Sequence, residues 1–92
     1  MTLTSRINYQ EKGPDALKAM LGLEKYVRGS GLETSLYELI KLRASQINGC
    51  AYCLDMHSKD MRKAGETEQR IYCLVAWRET SFYTESERAA LA

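Results

Sequence analysis

The chain has 92 residues, 45% of them hydrophobic and 27% charged, with a formal net charge of +1. That length predicts one small domain, residues 1–92, and small domains gain stability from disulfides, metals or partner subunits. The 13 Lys and Arg are interleaved with 12 Asp and Glu, which excludes a field strong enough to recruit nucleic acid or anionic lipid.

The first segment, MTLTSRINYQEKG, has no apolar core of signal-peptide length. No run approaches the ~20 apolar residues of a membrane span. The expectation is a cytoplasmic protein in a reducing compartment. There a close cysteine pair is more often catalytic or metal-binding than a structural staple. Pro14 and Asp15 suit the first turn of a helix. Leu17, Met20, Leu21, Glu24 and Val27 then follow i, i+3, i+4 spacing, and Gly29 and Gly31 end the pattern.

A second helix is predicted from about Ser35, burying Leu36, Leu39, Ile40, Ala44 and Ile47. Asn48-Gly49 stops it, because both residues tolerate left-handed backbone. The third helix runs from about Cys50 to Gly65. Thr67 opens the fourth, with Ile71, Leu74 and Val75 inward and Tyr72 and Trp77 flanking, and Thr80-Ser81 breaks it. Thr84 and Glu87 form a capping box for a last helix that reaches the final residue, Ala92. Ala89, Ala90 and Leu91 have no later segment to pack with, so docking on a partner or a longer parent chain is expected. No strand pattern appears, so the fold class is all-α: a compact bundle of about four helices and the start of a fifth.

The segment NGCAYCLDMHSKD carries the chemistry. On a helical wheel Cys53 lies about 300° and His57 about 340° from Cys50, so the three share one face. Leu54, Met61 and Ala64 fall near the same arc. Three readings fit. In the first, Cys50 and Cys53 cycle between dithiol and disulfide, and His57, one turn beyond Cys53, takes a proton directly or through a water. In the second, Cys50, Cys53 and His57 are three ligands of a zinc ion whose fourth comes from Cys73 or a carboxylate. In the third, the cysteines are small apolar core residues. Glu38, on the preceding helix, falls at similar height to His57 across the Asn48-Gly49 turn and is a candidate to orient it. Ser35-x-x-Glu38 also fits a capping box that merely closes the helix start. Cys73 reads as packing.

Glu38, eleven residues, then Cys50-x-x-Cys53-x-x-x-His57 resembles the signature of the AhpD-like alkylhydroperoxidases, within the carboxymuconolactone decarboxylase superfamily. The resemblance covers residues 15–92. It implies an all-α fold assembled as a homo-oligomer, trimer or hexamer, and thiol-dependent reduction of hydroperoxides. It implies that Cys53 attacks the peroxide and Cys50 resolves the product as a redox-active Cys50–Cys53 disulfide. His57 and Glu38 are then the proton relay, usually through a water, that deprotonates Cys53. An external dithiol is the implied reductant, and no cofactor or metal is implied. The sequence departs from the pattern at Tyr52, where the family has a second histidine between the cysteines; a phenol is a poor base at neutral pH. Family members also continue past a helix like the one at Thr84, which fits a fragment of a longer chain. A thiol–disulfide reductase or redox sensor without peroxidase turnover, and a non-catalytic oligomeric module with or without a stabilising zinc, are the rival functions. Purely decarboxylating chemistry has no use for the cysteine pair.

Overall fold

The structure, a computed structural model, describes residues 4–92. The first three residues of MTLTSRINYQEKG therefore lie outside it. Among the described residues every regular element is helical and no strand occurs. None of their helices is long and apolar enough to cross a membrane. The chain divides into two compact units, residues 1–32 and 33–92.

The first unit holds α1 (Tyr9–Lys12) and α2 (Pro14–Arg28). The sequence reading lacks α1, which forms because the Asn8 side chain accepts from the backbone N–H groups of Gln10 and Glu11. In α2, Pro14 occupies the first turn beside Asp15, with Lys25 and Arg28 in the last turn. This arrangement complements the helix dipole. Leu17, Glu24 and Val27 are half-buried. Met20 and Leu21, expected on the same stripe, are 65% and 59% exposed.

The second unit holds α3 (Thr34–Asn48), α4 (Ala51–Lys63), α5 (Glu68–Tyr72), a 3₁₀ helix (Cys73–Glu79) and α6 (Glu85–Leu91). Its core is Leu39 and Leu42 of α3, Met61 of α4, Ile71 of α5, Leu74 and Trp77 of the 3₁₀ helix, then Tyr83 and Leu91, with Leu54 and Phe82 packed against it. The fourth predicted helix is thus two elements. At Ala76 the backbone leaves the helical region (φ −116°, ψ 32°), Trp77 turns inward and Val75, expected inside, is exposed. Leu91, expected to lack a packing partner, is buried in the core through the contact of α6 with α3.

The buried face of α3 also differs from the expectation. Tyr37, Glu38, Leu39, Leu42 and Ser45 are buried, whereas Ala44 and Ile47 are exposed. Glu38, Leu42 and Ser45 are spaced i, i+4, i+7, so they lie on one stripe. Two of its three residues are polar, and periodicity of apolar residues does not detect it.

Residues 66–92 are locked by two arginines. Arg70 donates from Nε to Glu66 (2.6 Å), from Nη1 to the Phe82 carbonyl (2.6 Å) and from Nη2 to Glu87 (2.5 Å). Its own carbonyl accepts from the Tyr83 hydroxyl at 2.7 Å. Arg88 donates to the carbonyls of Trp77 (3.0 Å) and Thr80 (2.9 Å). The Thr84–Glu87 capping box forms as expected. The Arg70 guanidinium, bonded to the Glu87 carboxylate, holds that carboxyl below its ordinary range.

Candidate active site

The site is set by how the chain passes from α3 to α4. Gly49 adopts left-handed backbone (φ 66°, ψ 32°), which a residue with a Cβ reaches only at a cost. Its N–H donates to the Gln46 carbonyl (3.3 Å), and the Cys50 N–H reaches the Ser45 carbonyl (3.1 Å). This pair of bonds is a Schellman motif, in which a glycine ends the helix and satisfies its last carbonyls. Cys50 is therefore the residue after the glycine. It is also the N-cap of α4, with extended backbone and a sulfur that accepts from the Cys53 N–H at 3.3 Å. The Asn48-Gly49 stop signal thus places the first cysteine at the positive end of a helix.

Cys50 and Cys53 are joined by a disulfide, with Cα atoms 5.3 Å apart. Both are partly buried. Tyr52, between them, is 75% exposed. The disulfide state leaves neither sulfur as a thiolate ligand, so the Cys-x₂-Cys-x₃-His zinc set is not assembled in this form of the chain.

His57 follows Cys53 by one turn of α4 and is 6% exposed. Its Nδ1 lies 2.9 Å from Oε2 of Glu38, which is also 6% exposed. The nineteen-residue separation is closed by the packing of α3 on α4. Two expectations are corrected here. No water is needed between Glu38 and His57, because the groups touch directly. Glu38 does not cap its own helix: α3 begins at Thr34 with Glu33 as N-cap and no side-chain cap bond. With the ring proton on Nδ1 donated to Glu38, Nε2 carries a lone pair free to accept a proton; the partner on one ring nitrogen decides the role of the other.

Asp60 lies one turn beyond His57, outside the Cys-x-x-Cys-x-x-x-His pattern. Its carboxylate is exposed, yet ligand atoms of Glu38, His57 and Asp60 all lie within 4.8 Å of one another. The i, i+3 spacing to His57 is the signal that finds it. Cys73 is the free cysteine, half-buried on the 3₁₀ helix. Among the aromatic residues 72–83, Trp77 and Tyr83 are core and Phe82 packs on it, while Tyr72 is 65% exposed.

Comparison with known proteins gives a consistent picture. A 53% identity over 89 residues links the chain to the uncharacterized protein YdfG of Bacillus subtilis, covering 97% of this chain and 60% of that one. Alkyl hydroperoxide reductase AhpD of Streptomyces coelicolor is 39% identical over 75 residues, covering 77% of this chain and 42% of the relative. A crystal structure of an Agrobacterium tumefaciens protein of unknown function, described as a candidate AhpD of antioxidant defence, superimposes with a TM-score of 0.87 at 55% identity. It covers 96% of this chain and 60% of that one. The chain thus spans about 60% of YdfG and of the solved structure, and less of the AhpD relative. Residues 14–92 match the model of the carboxymuconolactone decarboxylase family, and the chain belongs to that family, as an AhpD-like member.

Proposed function

We propose that this chain carries the site of a thiol-dependent peroxidase that reduces hydroperoxides. The AhpD-named relatives and the Cys50–Cys53 disulfide both fit an antioxidant role. The single observation that carries the reading further is the buried bond between Glu38 and His57, one turn from the second cysteine. A structural Cys-x-x-Cys needs no base, whereas peroxide attack needs a thiolate.

The steps follow from that arrangement. In the reduced chain His57 takes the proton of Cys53 on Nε2, directly or through a water, while Glu38 holds Nδ1. The Cys53 thiolate attacks the distal peroxide oxygen. The O–O bond breaks, Cys53 becomes a sulfenic acid, and the alkoxide takes a proton from His57 to leave as alcohol. The Cys50 thiol then displaces hydroxide from the sulfenic sulfur, which leaves as water with the thiol's proton, and the disulfide forms. An external dithiol returns two electrons and two protons by exchange. Cys50 is the better leaving group in that exchange, because its sulfur already accepts a backbone N–H at the start of α4. Reductant attack therefore falls on Cys53. The hydroperoxide, the dithiol and assembly as a homo-oligomer belong to this proposal.

The N-capping position of Cys50 also favours a second reading, a thiol–disulfide reductase without peroxidase turnover. In that reaction Cys50 is the nucleophile and the Glu38–His57 pair is idle. One experiment separates the two. The reduced protein is mixed with an organic hydroperoxide and free thiols are counted against time. The peroxidase reading expects two thiols lost per peroxide, and the loss abolished in Cys53→Ser. A Cys53→Ser variant that consumes peroxide as fast as the parent sinks it.

A further inference from the structure

His57 and Asp60 stand one turn apart on α4, and Glu38 faces them from α3. One imidazole nitrogen and two carboxylate oxygens converge there, all within 4.8 Å of one another. Donors that share a zinc ion at about 2.0–2.2 Å each are at most about 4.4 Å apart, so closure on an ion needs only side-chain adjustment. Helical bundles build metal centres from a carboxylate and a histidine at i, i+3 on one helix with a carboxylate of a facing helix; here the order is His57-x-x-Asp60 and the Asp60 end is at the surface.

Other features agree with an ion. Two of the three donors are buried and fixed by their mutual bond, so little side-chain freedom remains to be lost on binding. Asp60 lies at the surface and takes no part in the ion pairs of its helix, which join Lys59 to Asp55 and Arg62 to Glu68. It gives an ion a point of entry. A cleft of about 260 Å³, lined by Thr34, Ser35, Glu38, Met61 and Gly65 among others, opens on the Glu38 side.

We propose that Glu38, His57 and Asp60 form a binding site for a divalent cation of the zinc class. Imidazole with carboxylate suits zinc, whereas magnesium and calcium favour all-oxygen shells with several waters. The set contains no sulfur, so it is available in the disulfide form and is distinct from a Cys-x₂-Cys-x₃-His site. Three protein ligands leave a fourth position for water. An ion there occupies the imidazole that the proposed relay needs, so the site is inhibitory if that relay operates. Binding itself does not depend on peroxidase activity.

The test uses the chelator-free disulfide form, with zinc chloride titrated in competition with a chromophoric chelator. One zinc per chain is expected. Asp60→Asn, at an exposed position, should fold as the parent does and bind at least tenfold more weakly. The Cys50→Ser/Cys53→Ser double variant should bind as tightly as the parent. The proposal is overturned if the parent draws no zinc from the chelator, if Asp60→Asn binds equally well, or if the double serine variant loses the ion. The titration involves no peroxide, so a chain that fails to consume hydroperoxide would refute the peroxidase reading and leave this result standing.

Discussion

Two charged clusters in residues 33–92, one partly buried and one buried, are built in opposite ways. Around Arg70, every donor that points inward has an oxygen: Glu66, Glu87 and the Phe82 carbonyl share one guanidinium, and Tyr83 closes the network onto the Arg70 carbonyl. At His57, Nδ1 meets a Glu38 carboxylate oxygen, between side chains that are each only 8% exposed. The first cluster is saturated and ties α5 to the segment that leads into α6. In the second, among the described residues, Glu38 engages only one ring nitrogen of His57, and the ring stands one turn from a cysteine. A network in which one cation is shared among several oxygens stabilises a fold, whereas a buried acid–imidazole pair beside a cysteine sets up a proton transfer.

That contrast can be broken from either side, and the largest effect falls at His57. Glu38→Gln keeps an acceptor for Nδ1 but removes the carboxylate that balances a protonated ring. Peroxide consumption should fall about 100-fold, within the range for loss of acid–base assistance, while melting changes little. Stopped-flow peroxide loss and a thermal melt measure the two quantities, and an unchanged rate removes Glu38 from the chemistry. Arg70→Met should show the reverse pattern. It strands two carboxylates and a carbonyl in a partly buried setting and should cost about 2–3 kcal/mol in urea unfolding, with activity per folded molecule retained.

The same network predicts an acid limb. Glu87 is held below its ordinary range chiefly by its bond to Arg70. Its contribution is therefore fully present above the unfolded carboxyl range and is lost as pH falls through the lowered folded value. The parent's urea midpoint should drop on going from neutral to strongly acid pH, and the drop should be smaller in Arg70→Met. The smallest effect is at the last cap: Thr84→Ala removes the acceptor for the Glu87 N–H and should cost about 1 kcal/mol.

Local chemistry was legible in the sequence and distant packing was not. The Asn48-Gly49 stop, the Thr84–Glu87 box, Pro14 in the first turn and the Cys50–Cys53 spacing each depend on a few adjacent residues, and each appears where expected. On α3 apolar spacing points to Leu36, Ile40 and Ile47, while the helix buries Glu38 and Ser45. Hydrophobic residues are free to face water, and buried polar groups need only a partner. Ser45 finds one in the Lys41 carbonyl at 2.6 Å and Glu38 finds one in His57. The kink at Ala76 has no proline or glycine to announce it. It follows from placing both Leu74 and Trp77 in the core, a tertiary demand that overrides helix propensity. For Glu38 the family pattern added what spacing alone left undecided between a cap and a relay.

The most direct test of the account is which sulfur the relay serves. Reduced Cys50→Ser and Cys53→Ser variants are each exposed to one equivalent of hydroperoxide in the presence of a sulfenic-acid trap, and the labelled residue is located by mass spectrometry. Rapid labelling of Cys53 is expected in the Cys50→Ser variant, slowed about 100-fold by adding Glu38→Gln, with little labelling of Cys50 in the Cys53→Ser variant. Faster labelling of Cys50 than of Cys53 would contradict it, and would assign attack to the helix N-terminus and not to the Glu38–His57 pair.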